Sequence, residues 1–197
     1  ETGEPHEVYY PIHEGSSITG YRVRRLPRDW RSSVGKPPSG MWGKHLCAVT
    51  GRHLLIVEGE EDRLAACAIL AAAPAVKMDV VSLPNGASIG KAVMSEEKFF
   101  EKYKRIYVNL DNDDVGIKCQ EELCDWLSGF TTVYSMSLDI ADGKDASDLW
   151  TGGKVAAYRR AIKTAITYEP DGIVNGVDIP LSDLLTPLPA GAVIPFK

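Results

Sequence analysis

The chain has 197 residues, 44% of them hydrophobic and 25% charged, enough apolar material for one good core plus appendages. A net charge of −5 excludes a uniformly basic nucleic-acid binder but says nothing against local basic patches. No apolar run approaches the roughly 20 residues that span a bilayer, and the acidic, polar start has no signal-peptide pattern, so no membrane association is expected.

Residues 1 to 20 carry Gly, Pro and alternating polar residues, with a short strand-like piece at Val8-Tyr9-Tyr10. From Tyr21 to Lys36 the character changes: Arg22, Arg24, Arg25, Arg28, Arg31 and Lys36 face the single acid Asp29. Tyr21-Arg22-Val23-Arg24 alternates like a strand until Pro27 breaks it, and Lys36 to Gly40 is a loop. Such a run is either a solvated strand or, with Tyr21 and Trp30 interleaved, a phosphate-facing patch.

At His53 an α/β rhythm begins. Strands are expected at His53–Glu58, Asp79–Leu83, Arg105–Leu110 and Thr131–Met136. Helices are expected at Glu60–Ala73, Glu96–Tyr103, Asp114–Leu127 and Lys154–Ile166, with a short one through Trp150. Strands separated by helices of this length imply a central, mainly parallel sheet flanked by helices. After Thr167, Pro and Gly mark a linker with at most one short helix near Leu181–Leu185. The expected division is a small basic β-containing subdomain over 1–50, an α/β domain over 51–166 and a linker over 167–197. The scattered cysteines Cys47, Cys67, Cys119 and Cys124 form no C-x-x-C pair and read as reduced thiols of a cytoplasmic protein. With no initiator Met and an end at Ile194-Pro195-Phe196-Lys197, the chain reads as a piece of a longer one.

Two stretches carry the chemistry. Leu54-Leu55-Ile56-Val57 is a fully apolar run that ends in Glu58-Gly59-Glu60-Glu61-Asp62. Arg105–Leu110 ends in Asp111-Asn112-Asp113-Asp114, followed by Gly116. Acids at the carboxyl ends of parallel strands converge where open α/β sheets bind ligands. Clustered carboxylates raise each other's pKa unless a cation sits between them, and hard oxygen donors suit Mg²⁺ or Mn²⁺. Glu60 and Glu61 also suit the positive end of a helix dipole. Asp113 or Asp114 also suits the cap of the following helix. Glu58 precedes its helix and has no such role, and Asp62 stands one helical turn beyond it.

E-G-E-x-D, then Ser82-Leu83-Pro84-Asn85-Gly86-Ala87, then D-x-D-x-x-G, then Lys144-Asp145-Ala146-Ser147-Asp148 resembles a Toprim domain. The form is that of phage-type primase–helicases, relatives of the mitochondrial replicative helicase and more distantly of DnaG-type primases. The resemblance covers roughly His53 to Gly152. It implies a Toprim fold, with Glu58 as metal ligand or general acid/base, Asp111 and Asp113 as metal ligands and Asp145 as a further ligand. Capping of the helix through Trp150 is the competing role for Asp145. The basic strand resembles the one preceding Toprim in these primases, which makes Arg22, Arg24 and Arg28 phosphate contacts. Lys91 and Asn85 are further nucleotide-contact candidates, and Trp30 either stacks a base or packs beneath the strand.

The resemblance also implies Mg²⁺ or Mn²⁺, ribonucleoside triphosphates, a single-stranded DNA template and an attached helicase domain. Gly86 to Lys91 is not the helicase phosphate loop, because only three residues separate its glycines and Ala92 follows Lys91. The expected activity is RNA primer synthesis in the cytoplasm of a bacterium or phage-infected cell. A Toprim-type nuclease and a non-catalytic single-stranded-DNA-binding module of a helicase are the alternatives.

Overall fold

The computed structural model describes residues 6–25, 33–48, 53–72 and 77–170, together with the backbone of 30–32, 172–174 and 177–179. Strand β1 (Glu7–Glu14) turns at Gly15-Ser16 into β2 (Ser17–Arg25), and β3 (Trp30–Gly35) completes an antiparallel sheet in the order β1-β2-β3. The piece expected at Val8-Tyr9-Tyr10 is thus an eight-residue strand. Alternation in this sheet is one-sided: Tyr10, Ile12 and Val23 are buried, while Tyr9 and Tyr21 are exposed and meet edge to face. β3 lay outside the sequence expectation, since Pro27 and Asp29 interrupt the pattern and its own residues carry no apolar run.

The second sheet follows the expected α/β rhythm. Strands β4 (His53–Val57), β5 (Asp79–Ser82), β6 (Arg105–Asn109) and β7 (Thr132–Ser135) pair in parallel, and β8 (Ile166–Thr167) joins antiparallel at one edge. The order is β5-β4-β6-β7-β8, which puts β4 and β6 side by side in the interior. All four residues Leu54, Leu55, Ile56 and Val57 have no accessible surface. Each contributes about 1.5–3 kcal/mol on burial, which explains the unbroken apolar run.

Helices cover both faces. On one, α4 (Asp114–Ser128) and α3 (Glu97–Phe100) bring Leu123, Leu127, Phe99 and Phe100 against Leu54, Ile56, Ile106 and Val108. On the other, α1 (Glu60–Ala71), α5 (Ala146–Thr151) and α6 (Val155–Lys163) set Ala66, Ile69, Leu149 and Tyr158 against Leu55 and Val57. Three layers result: helices, sheet, helices.

Several expectations need correction. The charged helix expected at Glu96–Tyr103 is the single turn α3, and a further turn, α2 (Lys91–Met94), precedes it, separated by Ser95-Glu96. The last helix stops at Lys163 instead of Ile166, because the chain turns there to add β8. The stretch expected as linker holds a two-stranded hairpin, β9 (Gly172–Val174) with β10 (Val177–Ile179). The short helix expected at Leu181–Leu185 lies outside the described residues. Among the described residues, no helix is long and apolar enough to cross a membrane.

The small sheet docks on the larger one through polar anchors. The Trp42 indole donates to the Pro11 carbonyl at 2.7 Å, and its backbone exchanges two hydrogen bonds with Ser82 on β5. The Tyr10 hydroxyl donates to Glu61 at 2.7 Å, and the Arg63 guanidinium lies over the Trp42 ring. The described cysteines are free, and burial pushes the Cys119 thiol up to about 11 and Cys124 up to about 12.

Candidate functional site

β4 and β6 deliver their acids to the same end of the sheet. Gly59 takes extended geometry at the start of α1, so the chain turns directly from strand to helix and leaves Glu58 on the strand tip. Glu58 Oε2 accepts a hydrogen bond from the Asp111 backbone N–H at 3.3 Å. One strand-end acid is therefore tied to the backbone of the other. The third arm comes from α5, whose N-cap Asp145 accepts from the Asp148 N–H at 2.7 Å.

Asp62 joins these arms. Its Oδ2 accepts from the Gly59 N–H at 3.1 Å and its Oδ1 from the Ser147 N–H at 3.3 Å. The first turn of α1 is thus pinned to the first turn of α5. Glu58, Asp62, Asp111 and Asp145 line one cavity of about 350 Å³, together with Lys144, Asp148 and, from the small sheet, Arg24.

The electrostatics are those of carboxylates held too close in too little water. Burial raises the Glu58 pKa, and Asp111 and Asp113 raise it further against the backbone hydrogen bonds from Asp111 and Ala87. Asp62 is pushed up to about 7, first by burial and then by Asp145 and Asp111. Burial raises Asp111 as well, while the hydrogen bond and charge of Lys144 pull it back. The Lys144 ammonium lies 3.1 Å from Asp111 Oδ2 and 3.5 Å from Asp145 Oδ2, and the Asp111 hydrogen bond raises its own pKa.

The other expected residues divide. Asp113 is exposed and caps α4, its Oδ1 accepting from the Val115 and Gly116 N–H groups at 3.1 and 2.9 Å. It stands near enough to raise Glu58 and Asp111, but it does not line the cavity. Arg22 donates to the buried Glu60 at 2.6 Å, to the Pro84 carbonyl and to Asn85 Oδ1 at 3.3 Å. Asn85 is thereby joined to the basic strand, outside the cavity. Arg24 pairs with Glu61 at the cavity wall. Lys91 is exposed at the start of α2 and does not line the cavity. Arg28 and the side chain of Trp30 lie outside the described residues.

Sequence reasoning missed Lys144 and the pairing of Arg22 and Arg24 with the first-turn acids of α1. A signal for Lys144 existed, since it is the one lysine between Asp139 and Asp148. The donors are right in kind for a hard divalent cation, and an ammonium already bridges two of them. Among the described residues, no three His, Cys, Asp or Glu side chains are gathered to hold a metal ion.

Comparison with known proteins gives a consistent picture. Residues 55–150 match a family described as Toprim-like. The chain is similar to a DNA helicase/primase of Enterobacteria phage T3, 25% identical over 167 residues that cover 84% of this chain and 28% of that relative. It therefore spans little more than a quarter of the length of the curated relative it matches. Its fold is similar to the primase fragment of the bacteriophage T7 primase–helicase, with a TM-score of 0.68 and 25% identity over 79% of this chain and 62% of that one. It is also similar in fold to the Aquifex aeolicus primase (zinc binding and RNA polymerase domains), with a TM-score of 0.63 and 21% identity over 83% of this chain and 41% of that one.

Proposed function

We propose that the chain, whose residues 55–150 match a Toprim-like family, is the primase core of a phage-type DNA primase–helicase. The observation that carries the proposal is the convergence of Glu58 and Asp111 from the adjacent parallel strands β4 and β6, with Arg24 of the small sheet on the cavity wall. Acids alone fit any Toprim chemistry. An arginine-bearing sheet docked beside them favours a nucleotidyl transferase over a nuclease.

The reaction joins a primer 3′-hydroxyl to the α-phosphate of a ribonucleoside triphosphate on a single-stranded DNA template and releases pyrophosphate. Glu58, Asp111, Asp113 and Asp145 are the residues that would hold Mg²⁺ or Mn²⁺. When bound, such an ion neutralises charge on the attacking and leaving oxygens. Glu58 either ligates the ion or takes the proton of the incoming hydroxyl. Arg24 neutralises phosphate charge at the cavity wall, and Arg22 and Arg28 are the further phosphate-contact candidates of the basic stretch. Asp62 ties the first turns of α1 and α5 together at the cavity wall. A helicase domain attached in the parent protein and work in the cytoplasm of a bacterium or phage-infected cell complete this reading.

The test is direct. The purified chain, given Mg²⁺ or Mn²⁺, four ribonucleotides and single-stranded DNA, makes short RNA, and Glu58→Gln lowers the yield by at least about 100-fold. Equal yield from Glu58→Gln would sink the assignment. Cleavage of the DNA without synthesis would select the nuclease, and DNA binding without either reaction would select the non-catalytic module.

A further inference from the structure

Lys144 occupies a position that none of the expected roles absorbs. Its ammonium bridges Asp111, at the end of β6, and Asp145, the cap of α5, at 3.1 and 3.5 Å. The backbone beneath it is fixed from both directions. The Asn112 N–H donates to the Lys144 carbonyl at 3.0 Å, and the Lys144 N–H donates to Asp148 Oδ2 at 3.2 Å. The side chain itself is 52% exposed, so the two carboxylates hold it and packing does not. A fixed backbone under a side chain held only by charge lets the ammonium leave without disturbing the loop.

The same two acids are ones a divalent cation would use. An ammonium has no acceptor and cannot share two hard oxygen donors with a metal at that spot, so the two cations compete. We propose that Lys144 is a built-in counter-cation that keeps the acid cluster assembled when empty and must be displaced from Asp111 and Asp145 for a divalent ion to bind. This rests on the reading of those acids as a metal site.

The experiment is a Mn²⁺ titration of the metal-free chain, with free Mn²⁺ followed by electron paramagnetic resonance. Lys144→Gln removes the competitor and binds Mn²⁺ about tenfold tighter than the wild type, while Lys144→Arg, which keeps the charge, stays near the wild type. In chelator, Lys144→Gln melts below the wild type, and saturating Mn²⁺ raises its melting temperature by more. Equal or weaker Mn²⁺ binding by Lys144→Gln overturns the role of Lys144 and leaves the metal site standing. Absence of Mn²⁺ binding by wild type and variant alike overturns both the metal reading and the inference built on it.

Discussion

Between the first turns of α1 and α5, the Asp62 carboxylate accepts two backbone hydrogen bonds, yet burial and its acidic neighbours push its pKa up to about 7. The unfolded chain has an ordinary aspartate value near 3.9. The folded state therefore binds this proton more tightly. Stability from this group is fully present below about pH 4, is lost as the pH rises toward about 7, and stays lost above that. Glu58 and Asp111 are raised too and act in the same direction. In chelator, the urea-unfolding free energy should thus fall between about pH 4 and pH 7, and Asp62→Asn should flatten that fall. The same variant loses one backbone acceptor, at about 1 kcal/mol, so it starts below the wild type at about pH 4 and, having no buried carboxyl to ionise, is the more stable of the two at about pH 8. A slope identical to the wild type would assign the titration to the other acids. At this scale Glu58 and Asp111 were legible in the sequence, because an apolar run ending in an acid is a local pattern. The Asp62–Ser147 and Asp111–Lys144 contacts join residues 85 and 33 positions apart, and no window of sequence contains them.

Element packing decides how far apart those acids stand. The first turn of α4 folds back on the strand end that precedes it, and a Cβ built on Gly116 would overlap the Asp111 carbonyl oxygen and lie 2.9 Å from its carbon. Both are backbone atoms and cannot swing aside. Gly116→Ala should therefore destabilise by about 1–3 kcal/mol, although alanine is the better helix former by about 1 kcal/mol. It should also weaken Mn²⁺ binding, because the turn that presents Asp111 is pushed outward. Gly129→Ala at the other end of α4, where the nearest atom is 3.4 Å away, is the control. A urea midpoint for Gly116→Ala at or above the wild type, with unchanged slope, would show the close approach to be of no consequence. Elements that bury a face, β4, α1, β6 and α4, were readable from apolar periodicity alone. β3, β8 and the β9–β10 hairpin were not, being short, at sheet edges or in a separate ribbon, where pairing with a neighbour defines the strand and side-chain pattern does not.

Charge joins the Trp42 and Tyr10 hydrogen bonds in tying the small sheet to the large domain. Arg22 meets the buried Glu60, and Arg24 meets Glu61, so the basic strand that stood out in the sequence is partly neutralised by the first turn of α1. A chain of net charge −5 cannot rely on bulk attraction for nucleic acid, and local cations must do that work. Arg24 lines the acid cavity and its side chain is 22% exposed, which leaves it able to exchange Glu61 for a phosphate. If it does so, Arg24→Ala weakens single-stranded DNA binding and reduces the slope of log K against log[salt] by about 1. Glu61→Gln, which loosens the competing pair, should then bind DNA more tightly than the wild type. If Arg24 only holds the sheets together, Arg24→Ala lowers the melting temperature and leaves the salt slope unchanged. The two variants are decisive together, because loss of the Arg24–Glu61 pair destabilises the fold from either side. Only a phosphate contact makes their effects on DNA binding opposite in sign.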